Sequence, residues 1–448
     1  MKITETLAWL KYLRALLFVL LLSPLTASAG LYELFLRAQQ NDSAYAAARA
    51  TYEGDQEYHA IGRSYLLPSL TLHSEATSEH TERQGTTVAN QPTLPSQTYS
   101  FNPQSASLHL NQPLLDFSLL ASRDEAYARA DLGEMTFAGE QLSLVLRVAQ
   151  AWFDYLLAQD GVDLARAQKE AYIGQQEQAE HLYKGGMGTR TDVEESRARV
   201  ELAQSQELVA TNALAVKKRE LEKIIGPGVP PAVSVSAVQL VAPDPDDVSQ
   251  WAETAREHNI KVLAQRVNLR IASAQADHAQ AGNYPNLSLV GDYTTAHEPD
   301  FYTDHQQTAL IGLRMDLPVY QGGRLTAQSR QAAAYREKAR DDVDTSMRDA
   351  EIKTTEAFLG ISNGIRQIHA MEQAVKSAEI TVEGMEAGQK AGLRTNTDVL
   401  NAQQQLYTSR YNLQKERYNY LISRVQLRAA IGALNGEDLQ ILDGMIGR

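Results

Sequence analysis

Hydrophobic and polar residues alternate with a period of two in the stretches 65–72 (YLLPSLTL), 105–116 (SASLHLNQPLLD), 283–290 (NYPNLSLV) and 308–321 (TALIGLRMDLPVYQ). That period sends successive side chains to opposite faces of an extended strand. Leu70 and Leu72 oppose Ser69, Thr71, His73 and Glu75, while Ala106, Leu108 and Leu110 oppose Ser105, Ser107, His109 and Asn111. Leu287 and Leu289 oppose Asn286 and Ser288, and Ala309, Ile311, Leu313 and Met315 oppose Gly312, Arg314 and Asp316. Tyr65, Tyr99, Phe101, Tyr284, Tyr293, Phe301 and Tyr302 sit at or beyond the strand ends, where the aromatic girdles of membrane barrels lie.

Elsewhere the rhythm is helical and its apolar stripe is thin. One stripe runs through Leu142, Val145, Ala149, Trp152 and Leu156, another through Leu406, Leu413, Tyr420 and Leu427 at seven-residue spacing, with Arg, Gln, Glu and Asn around them. A helix in a wall one helix thick is wet on two sides and buries only its flanks, which fits such stripes; an elongated coiled-coil bundle fits them too.

Proline sets the helix lengths. The 14 prolines are confined to Pro24, 68–113, 227–245, 285–299 and Pro318, so 114–226 and 319–448 hold none. Proline inside a helix costs about 3 kcal/mol, and these stretches are rich in Ala, Gln, Glu, Leu and Arg, so they predict very long helices. Each is broken once by a glycine-containing corner, KGGMGTRTDV at 184–193 and KAGLRTNTDV at 390–399. The first outgoing arm, 118–184, has 67 residues, about 100 Å of helix at ~1.5 Å per residue, against 37 in the returning arm 189–225. The helical segments 31–64 and 247–282 are the right size to stack on the short arms and make up the difference.

The two corners lie 206 residues apart, and IIG at 224–226 recurs as AIG at 430–432 with the same offset. Pro113 and Phe153 recur as Pro318 and Phe358 at an offset of 205. A period this long is not a solenoid repeat; it predicts an internally duplicated chain. The expected organisation is a signal peptide at 1–29, a first structural repeat at 30–226, a linker at 227–246, a second repeat at 247–432 and a C-terminal tail at 433–448.

Composition narrows the setting. Lys2, Lys11 and Arg14 precede the apolar run ALLFVLLL, and Ala27-Ser28-Ala29 offers a cleavage site, so residues 1–29 read as a secretory signal. No later segment is long and apolar enough to span a membrane as a helix. Without cysteine the chain has neither disulfides nor a lipoprotein anchor, so membrane attachment must come from its fold. The net charge of −13 becomes −15 without the signal, which removes three basic residues and Glu5, and argues against nucleic acid. The ten histidines show no metal-ligand spacing and there is no nucleophile motif, so neither an enzyme nor a cofactor or metal site is expected.

Strands of about ten residues match tilted barrel strands in lipid; a soluble β-domain with one wet face also alternates. Four strands cannot close a barrel, and an open edge in lipid leaves unsatisfied backbone groups costing several kcal/mol each. A barrel must then be shared: two chains give eight strands and a lumen filled by side chains, three give twelve and an open pore.

At this point the chain resembles the TolC family of bacterial outer-membrane channels. The family's tip motif, Gly-Leu with Asp-Val six residues on, occurs as Gly186-Met187 with Asp192-Val193 and as Gly392-Leu393 with Asp398-Val399. The stretches 149–172 (AQAWFDYLLAQDGVDLARAQKEAY), 317–323 (LPVYQGG) and 418–442 (YNYLISRVQLRAAIGALNGEDLQIL) are similar to family sequence too. The resemblance implies a mixed α and β membrane protein: a homotrimer with a 12-stranded outer-membrane β-barrel, four strands per chain, continuing into a long periplasmic α-helical barrel. It implies an outer-membrane location in a Gram-negative bacterium. It also implies a periplasmic adaptor and an inner-membrane ABC or RND transporter as partners, with either small-molecule efflux or type I protein secretion as the task. A soluble periplasmic coiled-coil scaffold is the rival reading, and extraction by salt rather than detergent separates the two.

Both corners then become hairpin tips at the periplasmic mouth, with Gly186, Met187, Gly188, Gly392 and Leu393 presented to an adaptor. Asp398, repeated around a three-fold axis, places like charges at a constriction. By resemblance Arg394 ties the closed state by bonding toward Thr191 and Asp192 of the neighbouring hairpin. The family's second acidic ring falls on Asn401, and a tyrosine of its tie network falls on Gln389, so weaker selectivity and a looser latch are expected. Thr191 and Asp192 also read as caps of the following helix.

Overall fold

The computed structural model describes residues 30–447 except 86–94, 233, 234, 236, 301 and 302. The signal-like segment 1–29 and the girdle residues Phe301 and Tyr302 lie outside the described residues. In chain order the longer elements are α1 (Leu31–Asn41), α2 (Ser43–Gln56), α3 (Tyr58–Ser64), β1 (Ser69–Ala76), β2 (Glu79–Arg83), β3 (Gln97–Phe101), β4 (Gln104–Leu115), α4 (Phe117–Lys184) and α5 (Arg190–Ile225). The short β5 (Ala237–Val238) is followed by α6 (Val248–His258), α7 (Ile260–Ala281), β6 (Asn286–Asp300), β7 (Thr303–Asp316), α8 (Arg324–Lys390), α9 (Asn396–Ala430), α10 (Gly436–Met445) and β8 (Ile446–Gly447). The outgoing helices α4 and α8 have 68 and 67 residues, the returning α5 and α9 have 36 and 35. Among the described residues no helix is long and apolar enough to cross a membrane.

The chain packs as two units, residues up to Ala48 with Ala138–Asn259 and Arg348 onward, and Arg49–Phe137 with Ile260–Met347. In the second of these, β1, β4, β6 and β7 form an antiparallel sheet in the order β1-β4-β6-β7. The register joins the alternating patterns of all four strands. Leu70 pairs with Leu110, Leu110 with Gly291 and Gly291 with Ile311; the next row is Leu72, Leu108, Tyr293 and Ala309. Leu289 faces Leu313 and Leu287 faces Met315 on the same side. Apolar rows therefore cover one face for about 20 Å along the strands at ~3.4 Å per residue, and Leu72 and Ile311 on that face are 72% and 76% exposed. The opposite face carries the Ser, Thr, His, Asn and Asp rows.

The strands differ from their sequence expectation at the ends. β1 starts at Ser69 because Leu66 and Leu67 still donate to the carbonyls of Arg63 and Ser64 in helix-like turns, and Pro68 then ends them. β7 stops at Asp316: Pro318 has no N–H for a ladder, and Leu317, Val319 and Tyr320 are exposed. β6 continues well past Val290, so Tyr293 lies within the strand rather than at its end. Tyr99 and Phe101 belong to β3, which pairs with β2 in a hairpin that periodicity did not show. Tyr284 does precede its strand, packing edge-on against Phe117 at 5.6 Å.

In the other unit the predicted stripes are buried, Val145, Ala149, Trp152 and Leu156 on α4 and Leu406, Leu413, Tyr420 and Leu427 on α9, except that Leu142 at the start of the first is only half-buried. The opening helices meet the short arms as their lengths suggest. Arg37 of α1 donates to the carbonyls of Pro227 and Gly228 just beyond α5, at 2.7 and 2.9 Å. Asn259, after α6, donates to the carbonyl of Ala430, the last residue of α9, at 2.7 Å. Tyr418 donates to Asp160 at 2.7 Å inside this unit, and burial, then the Asp160 charge, pushes its phenol above the usual range.

Candidate gate at the hairpin corners

The two corners share one backbone design. In the first, the N–H groups of Gly186, Met187 and Gly188 reach back to the carbonyls of Tyr183, Leu182 and Leu182 at 3.0, 2.9 and 3.1 Å. In the second, Gly392, Leu393 and Arg394 reach Gln389, Gly388 and Gly388 at 3.0, 2.8 and 3.3 Å. Gly186 and Gly392 both sit at φ +72, in the left-handed region that favours glycine and closes helix C-termini. Met187 and Leu393 follow them and stand 78% and 81% exposed.

Each returning helix begins with a capping box. Thr189 accepts from the Asp192 N–H and the Asp192 carboxylate accepts from the Thr189 N–H at 3.1 Å; Thr395 and Asp398 do the same, at 3.0 Å for the second bond. The cap is thus Thr189, with Asp192 as its partner. Thr191 lies inside the helix with an exposed side chain, correcting the expectation that it caps. The Thr395 backbone bond, then its hydroxyl bond, and more weakly the Arg394 charge hold the Asp398 carboxyl below the ordinary aspartate range, so it is ionised at neutral pH.

Polar contacts run between the two hairpins. Asn396 is buried; its amide donates to Ser196 Oγ at 2.6 Å and to the Asp192 carbonyl at 3.4 Å, and its oxygen accepts from Gln389 at 3.1 Å. Gln178 in turn donates to Gln389 at 3.4 Å. Thr397 donates to Glu195 at 2.6 Å, and Arg199 donates to Asn401 at 2.9 Å and Gln404 at 2.8 Å. Beneath this belt Tyr172, Ala203 and Leu400 form a small apolar core. Gln389 therefore joins this polar belt through its amide, and Asn401 is held by Arg199. The Arg394 guanidinium makes no hydrogen bond to Thr191 or Asp192 among the described residues of the chain; its stem lies over Gly388, where an added Cβ would meet Arg394 Cγ at 2.7 Å.

Sequence reasoning missed Asn396, Thr397, Ser196, Glu195 and Arg199. A signal existed: at the 206-residue offset Asn396 stands opposite Arg190 and Ser196 opposite Ala402. Asn396, Ser196, Glu195 and Arg199 stand where the two copies differ, whereas Thr397 matches Thr191 and joins the hairpins all the same.

The family model for outer membrane efflux proteins matches residues 34–227 and 251–433. The chain belongs to the outer membrane efflux protein family. Among relatives of this efflux family, the alkaline protease secretion protein AprF of Pseudomonas aeruginosa is 30% identical over 433 residues, 95% of this chain and 89% of that protein. The outer membrane protein TolC of Escherichia coli is 28% identical over 438 residues, 95% of this chain and 87% of that protein. The solved outer membrane protein VceC from Vibrio cholerae shares the fold, with a TM-score of 0.75 at 19% identity over 90% of this chain and 96% of its own. The family places this efflux chain in the outer membrane of a Gram-negative cell, as an exit duct for efflux or type I secretion.

Proposed function

We propose that three copies of this efflux-family chain close one barrel of twelve strands, four from each, above a periplasmic helical tunnel whose mouth is formed by the hairpin corners. The observation that carries this reading is the four-stranded sheet with an exposed apolar face and, among the described residues, unpaired outer edges on β1 and β7. Each unpaired backbone group in hydrocarbon costs several kcal/mol, so a lone sheet has no stable place in lipid. Joining the β1 edge of one copy to the β7 edge of the next satisfies both, and twelve strands leave an open lumen where eight do not. Exposed Leu202, Val209 and Val216 at seven-residue spacing on α5 offer a matching helical seam for a second copy.

Within that assembly the chain reads as two halves of one repeated unit, and its corners as the gate. Asp398, Arg394, Thr191, Asp192 and Asn401 lie at the mouth, with Asp398 contributing fixed negative charge. Gly186, Met187, Gly188, Gly392 and Leu393 present two apolar side chains on tight turns, a surface suited to a helical-hairpin adaptor that links the duct to an inner-membrane ABC or RND transporter. The similarity to AprF and TolC supports export of proteins as well as small molecules. The test joins mass and conductance. Detergent-extracted protein should run as a trimer, and Arg394→Ala or Asp398→Ala trimers should show raised bilayer conductance or lowered cation preference. A monomer would remove the shared barrel; wild-type conductance and selectivity in both variants would remove the gate assignment.

A further inference from the structure

The polar face of the four-stranded sheet carries a linked set of histidines and carboxylates. His109 on β4 and Asp292 on β6 are register partners, and His109 Nδ1 hydrogen-bonds Asp292 Oδ1. The other ring nitrogen, Nε2, lies 3.0 Å from Ser107 Oγ, two residues back on the same face. Ser107 is in turn the register partner of His73 on β1, whose Nε2 is 3.9 Å from Glu75. In the rows from Glu75 to Asp316 the other charged residues on this face are Arg314 and Asp316, both on β7. Three carboxylates therefore stand against one guanidinium when the imidazoles are neutral. Protonating His73 and His109 cancels the two uncompensated negative charges.

We infer that this face is a pH-responsive charge lining of the duct, with His73 and His109 adding a pH-dependent part to a cation preference to which Asp398 contributes a fixed part at the corner. The inference rests on the duct reading, in which the polar face lines the lumen. Histidine changes charge between about pH 5 and 8, and the geometry here accepts that change without moving the ring. Nδ1–H donates to Asp292 in both states. When neutral, Nε2 accepts from the Ser107 hydroxyl; when charged, it donates to Ser107 Oγ, and only a hydroxyl hydrogen has to turn. The sheet rows repeat around any closed barrel, so each added charge becomes a ring, the arrangement by which pores select ions. Asp398 at the corner stays ionised throughout this interval, because its carboxyl is held below the ordinary range.

The test uses the full-length protein in planar bilayers under a KCl gradient, reading the zero-current potential at pH 8 and pH 5.5. The wild-type ratio of potassium to chloride permeability should fall about two-fold or more across that interval. The double variant His73→Gln/His109→Gln should keep its pH 8 ratio at pH 5.5, and Asp292→Asn should show a reduced ratio already at pH 8. A double variant that falls as far as wild type overturns the inference, and so does an Asp292→Asn channel with the wild-type ratio at pH 8. Wild-type protein that forms no conducting channel at either pH overturns the duct reading, and the inference with it.

Discussion

The corners at 184–193 and 390–399 have the same backbone and different company. Their shared letters, a glycine at φ +72 and a Thr-x-x-Asp capping box, are those the turn itself demands. The letters that differ decide where each corner points its chemistry. Arg190, three residues after Met187, lies 3.9 Å from Glu194 on its own exposed helix face. Its counterpart Asn396 is buried and bonds across to Ser196. Steric room is also traded: in the first corner a small Gly188 packs against a large Leu182, in the second a small Gly388 lies beneath a large Arg394. One scaffold thus yields a corner that faces outward and a corner that reaches to its neighbour.

The largest effect that would separate the corners is at this pair. Asn396→Ala removes the donor to a fully buried Ser196 hydroxyl and the acceptor for Gln389, a loss of about 2 kcal/mol for buried polar groups. Amide hydrogen exchange over both corners should speed up about 30-fold. Arg190→Ala touches only an exposed ion pair and should shift exchange by less than about 0.5 kcal/mol. Equal effects at the two positions would break the contrast.

Gly388→Ala comes next. The new methyl meets Arg394 Cγ, the flexible part of a long side chain, so the cost is about 1 kcal/mol, and Arg394→Ala in the same molecule should restore wild-type exchange. Gly188→Ala differs, because the nearest atom is the backbone nitrogen of Tyr183 at 3.0 Å, and no side-chain change relieves it. A double-variant cycle that shows coupling at Gly388 and none between Gly188 and Leu182 sharpens the comparison.

How much of this was legible in the sequence depends on how local each feature is. The long helices, their break points and the buried stripes follow from proline placement and periodicity, which act within a few residues. The face pattern of the strands was legible because Leu70, Leu108, Leu289 and Leu313 each alternate with polar neighbours, and the register then aligned them. Strand ends were not, since β6 extends past Val290 by pairing with β4 on one side and β7 on the other, contacts outside its own sequence. The capping residue was misplaced by two positions because Thr189 and Thr191 look alike locally; only Thr189 has the extended backbone of a cap. The inter-hairpin belt was hidden for a stronger reason. Asn396 in a polar run reads as solvated, yet it is buried and its amide bonds Ser196, 200 residues earlier.

The smallest expected effect concerns pH at the second corner. Asp398 has its carboxyl depressed first by the Thr395 N–H, then by the Thr395 hydroxyl, and last by the Arg394 charge. A depressed folded-state pKa means that the contribution is fully present above the unfolded value near 3.9 and is lost as pH falls through the folded value. Exchange protection at Thr395 and Asp398 should therefore be flat from pH 7 to about pH 5 and fall only at more acid pH. Asp398→Asn keeps an acceptor oxygen for the cap and should abolish that fall. Arg394→Gly gives the second corner the residue the first has at Gly188; with the least of the three causes gone, the loss should begin at slightly higher pH. An unchanged midpoint in Arg394→Gly would show that the capping bonds alone set this carboxylate, and that the arginine's place in the corner is steric.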